Sequence, residues 1–408
     1  MRIATSQAYA NSIAELQQRQ QNLSTTQTQL TSGKRVVKAS DDPTNAARAE
    51  RALAAMARSD ANQRTLDATR NVMNLASSSL QNATDLLQTA RETLVAAGDA
   101  SYSDNDRKSL AVKLKNIRDQ LLSVANTGDG GGGFIYGGQG SSSPPFIDTG
   151  NGVIYQGQAG EQLASSGERL SLTLDGQRVW LSGKSGNGVF NTSPTSAANS
   201  GNAWITAGTV TDPSQVPYPS NGSAAHSYQV LFHNSGSGIT YDVVEDGSNV
   251  LTSGQPYKDG AAIDIPGRGM QVAVKGTPAD NDSFQIGEAN NNLNIFSVLD
   301  NAIGALNAST TKATVSQAVN TGLTNVDAAL SSIQGAQSVV GEQLNRMDGL
   351  EGRNQDAKLA AQTLKSNAED LDMVQAVSNF KNQESGYQAA LQSYAMVQKL
   401  SLFNYISS

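Results

Sequence analysis

The stretch from Met73 to Ala97 reads MNLASSSLQNATDLLQTARETLVAA and carries apolar residues at alternating steps of three and four. The residues of this seam are Met73, Ala76, Leu80, Ala83, Leu87, Ala90, Leu94 and Ala97. A repeat of 3.5 residues places them on one face of an α-helix and is typical of helices that pack along their length. If this helix begins at Thr44, it is roughly 80 Å long at 1.5 Å per residue. We therefore expect long packed helices, with this seam in an intramolecular core.

Signals for helix ends flank the seam on both sides. Asp41-Asp42-Pro43 predicts a helix start, because Asp accepts hydrogen bonds from the free amides of a first turn and Pro has no amide to leave unpaired. Gly98 predicts the end of the same helix. Ser103 and Asp106 have the spacing of a capping box, so a further helix is expected from there to about Asn126.

The C-terminal part of the chain repeats the helical pattern. Apolar residues recur at helical spacing in 293–306, 326–347 and 364–397. Helices of this length are not stabilised by propensity alone, so each apolar stripe needs a partner. We therefore expect the N-terminal helices to pair with the C-terminal ones.

The middle of the chain has a different composition. Every proline except Pro43 lies between Pro144 and Pro278, and no aromatic residue occurs between Phe296 and Phe380. Proline and aromatic residues favour turns and strands. Short apolar runs followed by turn residues predict strands at 169–174, 228–232, 239–244, 261–265 and 269–274. The sequence thus predicts an α+β fold in which long α-helical coiled-coil flanks from both chain ends enclose an inserted β-rich outer domain.

The composition excludes several classes of function. Lys and Arg number 29 against 36 Asp and Glu, whereas proteins that bind nucleic acid normally carry a basic excess. The chain has no cysteine and only two histidines, which removes disulfides, thiol catalysis and the common metal-ligand sets. No apolar run reaches the ~18 residues of a membrane span, and the first residues lack the features of an ordinary secretory signal. We expect neither an enzyme nor a cofactor or metal.

Two short motifs that resemble binding loops are better explained as turns. Gly128, Gly130 and Gly133 have the spacing of a phosphate loop, but they follow a helix and precede a strand-like segment, which reverses the order that phosphate binding needs. Asp280-Asn281-Asp282 offers oxygen ligands for calcium, but lacks the glycine and the distant glutamate of the helix–loop–helix motif. We therefore assign no catalytic, cofactor-binding or metal residue.

Several motifs resemble those of flagellin-family axial proteins. Thr31-Ser32-Gly33-Lys34-Arg35-Val36 followed by Ser40-Asp41-Asp42-Pro43 is similar to the family signature. Within the family, the Asp-Asp-Pro run resembles subunits of the hook–filament junction more than filament flagellin, whose usual pattern lacks that proline. The segment 276–284 resembles a stretch of hook-associated β domains, with Asn281 where Gly is usual. Further matching segments are 103–111, 117–121, 134–138, 387–392 and 401–406.

The resemblance implies a structural subunit of the extracellular bacterial flagellum, joining the hook-associated junction to the flagellin filament by helix-mediated axial assembly. The implied partners are other copies of itself in a ring, the adjacent hook-associated junction protein and the flagellin filament. A cytoplasmic export chaperone and the flagellar type III export apparatus are also implied, since such subunits leave the cell unfolded with an uncleaved N-terminal signal. No nucleic acid and no membrane span are expected.

The expected domains follow the helical and β-rich segments. Residues 1–40 with 365–408 form a terminal helical assembly domain, 41–130 with 291–364 a helical-bundle shaft, and 131–290 the β-rich outer domain. The structural motif comprises Gly33, Asp41, Asp42 and Pro43. The expected assembly interface is apolar and comprises Ile3, Ile13, Leu16, Leu23, Leu30, Leu371, Val374, Leu391, Tyr394, Val397, Leu402 and Phe403.

Three alternatives stay open at this point: a filament flagellin or another axial subunit, a surface adhesin, and an enzyme. A filament flagellin would self-polymerise abundantly, and the Asp-Asp-Pro run together with Phe134-Ile135-Tyr136-Gly137-Gly138 argues against it. A surface carbohydrate-binding adhesin would use exposed aromatic residues of the insert as a platform for sugars. An enzyme is the weakest reading, because no convergent set of acid, base and nucleophile can be named.

Overall fold

The computed structural model describes residues 2–160, 170–195, 199–220, 225–234, 238–308 and 311–406. Its helices are α1 Arg2–Ser32, α2 Pro43–Ala97, α3 Asp104–Ala125, α4 Gly176–Trp180, α5 Ile295–Ala308, α6 Lys312–Glu369 and α7 Met373–Ile406. Its strands are β1 Phe146–Thr149, β2 Gly152–Tyr155, β3 Phe190–Pro194, β4 Asn202–Ile205, β5 Thr209–Val210, β6 Tyr228–Asn234, β7 Ile239–Glu245, β8 Asn249–Pro256, β9 Ala262–Ile265, β10 Met270–Thr277 and β11 Ser283–Glu288. The predicted α+β fold, with helical flanks around a β-rich middle, is confirmed.

The chain divides into two compact units. The first combines Met1–Arg64 with Gly349–Ser408, and the second is Thr65–Asp348. Both borders lie inside helices, one in α2 and one in α6. The three-part division expected from the sequence places its borders elsewhere and stays a prediction.

The α2 seam forms the helical core of the second unit. All eight seam residues from Met73 to Ala97 are fully buried, as the 3.5-residue repeat predicts. Polar residues between them bond to neighbouring helices: Ser79 donates to the carbonyl oxygen of Val124 on α3, and Thr84 accepts from Gln337 on α6. The seam is therefore packed along its whole length.

The ends of α2 and α3 follow from the capping residues. The Asp42 carboxylate accepts from the backbone N–H of Asn45 at 3.0 Å, and α2 begins at Pro43. Ser103 accepts from the N–H of Asp106, whose carboxylate accepts from the N–H of Ser103, so the predicted capping box is complete.

Two antiparallel sheets make up most of the β-rich middle. The larger has the order β3-β11-β6-β7-β8, and in the smaller β10 pairs with β4, β5 and β9. Strands β6, β7, β9 and β10 fall where the sequence predicts them. The inward-facing residues of the two sheets form one core, which includes Phe190, Ile205, Tyr228, Val230, Phe232, Val243, Ile263, Val272, Val274, Phe284 and Ile286.

The strand predicted at 169–174 is wrong for the described residues 170–174, which form no strand. Within 170–174, Thr173 and Leu174 are both buried, which the alternation of a half-exposed strand does not allow. Leu174 instead pairs with the turn at Ile135 and Gly138, more than thirty residues earlier, through backbone hydrogen bonds. The Asp175 carboxylate then accepts from the N–H groups of Gln177 and Arg178 and starts the short helix α4.

None of the helices that the structure describes combines the length and the apolar character needed to cross a membrane.

Candidate assembly site at the chain ends

Helices α1 and α7 pack against each other in the first unit. The rings of Tyr9 and Tyr394 meet edge to face, with centroids 6.3 Å apart. The buried Thr26 donates from Oγ1 to Oε1 of Gln383 at 2.8 Å. The expected pairing of N-terminal with C-terminal helices is thus observed at the two chain ends.

A joint connects α1 to α2, which follows it, and α7 to α6, which precedes it. Gly33 ends α1 with φ at +68°, a left-handed conformation that glycine adopts without steric cost. Its carbonyl oxygen accepts from the N–H of Leu371 at 3.0 Å, between α6 and α7. The N–H of Arg35 donates to the carbonyl oxygen of Glu369 at 2.6 Å. The turn after α1 and the turn before α7 therefore hold one another.

The two aspartates of the motif stabilise the same joint. Asp41 accepts from the N–H groups of Val37 and Lys38 at 3.1 and 2.8 Å, which closes the loop before α2. Hydrogen bonds from Asn45, and more weakly from Arg35, hold the pKa of Asp42 below its usual value. The structure thus brings the predicted motif residues Gly33, Asp41, Asp42 and Pro43 into one joint.

Two residues of the joint have roles that motif reasoning does not assign. Arg35 donates to the carbonyl oxygen of Ala368 at 2.8 Å and pairs with Asp42 at 3.3 Å. The largely buried Glu369 carboxylate lies 3.2 Å from the ammonium groups of both Lys34 and Lys365. Lys34 and Arg35 stand in the quoted signature, whereas nothing in the spacing marks Glu369, because its partners lie 4 and 335 residues away in the chain.

The residues predicted for assembly differ in exposure. Ile13 is 43% exposed, Leu391 42% and Val374 84%. Side chains that are half-buried within the unit are Leu16, Leu23, Leu30, Leu371 and Tyr394. The side chains of Ile3, Val397, Leu402 and Phe403 lie outside the described residues. The predicted assembly interface did not include the exposed apolar residues Leu359, Leu364, Met373, Val377 and Met396.

A separate polar cluster fixes the β1–β2 hairpin in the second unit. Arg118 on α3 is buried, and its guanidinium donates to both oxygens of Asp148 on β1 and to Asp300 on α5 at 3.0 Å. These hydrogen bonds raise the pKa of Arg118 and lower that of Asp148. One arginine thus joins two helices and a strand.

The motifs that resemble binding loops are occupied by their own side chains. The Asp129 carboxylate accepts from the N–H groups of Gly131 and Gly133, so the glycine loop already holds an anion. The Asp282 carboxylate accepts from three backbone N–H groups, those of Ser200, Gly201 and Ala279. In the described part of the chain, no group of three or more histidines and carboxylates is arranged to hold a metal ion.

The aromatic residues of the insert serve packing. Trp180 is fully buried and stacks on Phe296 at 5.8 Å. Phe146, Phe190, Tyr228, Phe232 and Phe284 are also buried. These buried rings are not available as a platform for sugars, whereas Trp204, Tyr241 and Tyr257 are half-buried. The buried rings therefore give the adhesin alternative no support.

Comparison with known proteins agrees with this architecture. Residues 3–141 match the family model of the bacterial flagellin N-terminal helical region. Over 99% of both chains, the sequence is 26% identical to flagellar hook-associated protein 3 of Salmonella typhimurium and 25% identical to that of Escherichia coli. These relatives are structural proteins of the flagellum and not enzymes.

Solved structures of such proteins share the fold. The hook-associated protein 3 of Legionella pneumophila is 29% identical, with a TM-score of 0.71 over 78% of this chain and 98% of that one. A structure described as the flagellar junction protein FlgL of the same organism is 29% identical, with a TM-score of 0.64 over 71% and 95%. FlgL of Xanthomonas campestris is 27% identical, with a TM-score of 0.67 over 78% and 99%. The chain is therefore similar to hook-associated protein 3 (FlgL) proteins over nearly its whole length, and its N-terminal region matches the bacterial flagellin family model.

Proposed function

We propose that this chain is a structural subunit of the bacterial flagellum that joins the hook-associated junction to the flagellin filament. The observation that carries the proposal is the match to hook-associated protein 3 over 99% of both chains, which includes the helical ends as well as the insert. The activity is mechanical, and it depends on binding between subunits.

The terminal helices supply the surface for axial assembly. Ile13, Leu391 and Val374 are exposed on α1 and α7, where neighbouring subunits can bury them. Burying a large apolar side chain fully contributes roughly 1.5–3 kcal/mol, and a ring of identical subunits repeats that gain at each contact. The proposed partners are copies of this chain, the adjacent hook-associated junction protein and the flagellin filament.

The proposal extends to the route by which the chain reaches the flagellum. It leaves the cell unfolded through the flagellar type III export apparatus, with an uncleaved N-terminal signal. A cytoplasmic chaperone holds the C-terminal helix α7 before export. The absence of cysteine from all 408 residues supports this route, because no disulfide can close a loop in the chain.

Deletion of the gene tests the junction function. Electron microscopy should show hooks without filaments, and full-length monomeric flagellin should accumulate in the growth medium. Bare hooks without flagellin in the medium would instead identify the chain as the filament subunit or as a component needed for export. Intact filaments, in a strain without a second copy of the gene, would contradict the proposal.

Substitutions in the terminal helices test the interface. Leu23→Asp and Tyr394→Asp should leave a soluble protein that cannot cap hooks, and so should Ile13→Asp, which replaces a side chain that is already exposed. Val250→Asp is the matched control, since Val250 is 54% exposed on β8 in the insert. The control should form normal filaments. Normal filaments in the three strains with a substitution in α1 or α7 as well would exclude these helices as the assembly surface.

A further inference from the structure

An apolar groove lies between α2 and α6 in the first unit. The two helices run side by side there, held by an ion pair of 2.7 Å between Lys358 and Asp60 and by a hydrogen bond of 2.9 Å from Asn354 to the carbonyl oxygen of Ser59. The groove encloses about 600 Å³. We call it the alanine groove, and its apolar lining includes Ala52, Ala55, Ala357, Ala360, Ala361 and Leu364.

The lining suits a docked helix. Ala52 and Ala361 are buried at the floor, so the two backbones lie close together and the space above them is open. Leu364 is 62% exposed at the edge of the groove. Together with the exposed Ala357 and Ala360 it forms one apolar patch, and a contiguous exposed apolar patch is typical of a surface that another surface covers.

The rim of the alanine groove is positively charged. Arg48 and Arg51 line it one turn apart on α2. Arg48 has a weak hydrogen bond of 3.4 Å to the side-chain oxygen of Asn45, and neither arginine forms an ion pair within the described residues. The groove therefore favours an occupant that is apolar and acidic.

The start of α7 has this chemistry. Met373, Val374 and Val377 are 49%, 84% and 48% exposed, and we call them the α7 patch. The small Ala376 faces inward and is buried. The larger apolar residues thus point outward, opposite to the arrangement of a surface helix that packs only on its own chain. Asp370 and Asp372 directly precede the patch and are exposed.

We propose that the α7 patch of one subunit docks into the alanine groove of a second copy of this chain, with the acidic flank of the patch facing Arg48 and Arg51. The patch is exposed in its own chain, so it does not fill its own groove. The two surfaces are different, which makes the contact heterologous, and such contacts repeat from subunit to subunit around a ring. This contact rests on the proposed function and names the way neighbouring copies meet.

Cysteine crosslinking tests the contact directly, because the natural chain has no cysteine. Ala360→Cys and Val374→Cys are produced as two differently tagged full-length copies in the same cells, and their hooks are isolated and oxidised. The expected result is a disulfide-linked dimer that carries both tags. Its yield should be at least tenfold above the yield of any disulfide-linked dimer in cells that produce either variant alone. The matched control replaces Val374→Cys by Val112→Cys, since Val112 is 60% exposed on α3 and lies outside the patch.

Charge reversal tests the rim. Arg48→Glu together with Arg51→Glu should lower the yield of the dimer at least fivefold. Arg58→Glu, an exposed arginine on α2 that does not line the groove, should leave the yield unchanged. Equal yields for the two variants would exclude the charged rim from the contact.

Other outcomes separate this contact from the junction function. Both variants present on hooks without a mixed dimer would overturn the contact and leave the junction function standing. A crosslink within a single chain that carries both Ala360→Cys and Val374→Cys, or a crosslink to a different flagellar protein, would also overturn it. Absence of the chain from hooks altogether would contradict the proposed function itself.

Discussion

Gly33 controls the joint at the chain ends through its backbone conformation. Its φ is +68°, and no atom lies within 4 Å of the position that a Cβ would occupy, so a substitution there is opposed by conformation alone. Gly33→Ala should destabilise the first unit by about 1–2 kcal/mol, the cost of a left-handed backbone for an L-residue. Faster hydrogen exchange at the N–H of Leu371, which donates to Gly33, would report the loosened joint.

A glycine of the same unit provides the matched control. Gly352 lies in α6, with open space around the position of a Cβ. Gly352→Ala should therefore stabilise the protein, by about 0.5–1 kcal/mol, because alanine is the better helix former. Equal effects of the two substitutions on the free energy of unfolding in urea would remove the conformational argument for Gly33.

Arg118 is the second residue whose replacement separates competing effects. Arg118→Met fills similar volume but leaves Asp148 and Asp300 without their shared partner. Both carboxylates are partly exposed, so we expect a loss of about 1–2 kcal/mol and not the larger cost of an isolated buried charge. Arg91→Met, which removes an exposed pair with Asp327, should cost less than about 0.5 kcal/mol. Thermal unfolding of both variants measures the difference.

The contribution of Arg118 depends on pH in a defined direction. Its hydrogen bonds depress the pKa of Asp148 in the folded state below the ordinary value of 3.8. A depressed pKa gives stability that is present above the unfolded value and is lost as the pH falls through the folded one. The difference in unfolding free energy between the wild type and Arg118→Met should therefore be constant above about pH 5 and shrink below pH 4. A difference that grows in acid would contradict the assignment.

At the scale of the element, the α2 seam carries the stability of the second unit. Leu87 is fully buried, so Leu87→Ala leaves a cavity and should lower the free energy of unfolding by about 2–5 kcal/mol. Leu75 lies on the same helix but is 38% exposed, and Leu75→Ala should cost less than about 1 kcal/mol. The same change of side chain in the same helix isolates burial as the cause. Similar midpoints of thermal unfolding for both variants would show that the seam is not the core.

Elements that depend on local signals could be predicted from the sequence. The 3.5-residue seam, the capping box at Ser103 and the start of α2 at Pro43 each involve residues within a few turns of one another. The segment 170–174 could not be predicted, because both faces of its end are buried against a turn more than thirty residues earlier. Local alternation contains no information about that neighbour.

The candidate site follows the same rule. The signature around Gly33 marked the joint, but its partner Glu369 lies at the other end of the chain. Arg118 was also not anticipated, since Asp148 and Asp300 are 30 and 182 residues away. Asn281, which stands where the resembling stretch has Gly, has φ at +64°, so the turn keeps its left-handed residue. Asparagine tolerates that conformation, which explains why the departure does not alter the turn.

At the scale of the whole molecule, the absence of cysteine concerns the proposed export route. A chain that passes unfolded through a narrow channel cannot carry a covalent loop, since a loop passes as a doubled chain.

Gln229 and Gln285 are directly opposed on β6 and β11 and lie on the outer surface of the sheet, so a disulfide between them closes a loop of the insert. In cells with an oxidising cytoplasm, the variant Gln229→Cys with Gln285→Cys should reach the medium at least tenfold more slowly than Gln229→Cys alone. Reductant should restore its export, because it opens the loop without changing the sequence. Equal export rates, with the disulfide verified in the cytoplasmic pool, would contradict passage as an unfolded single chain.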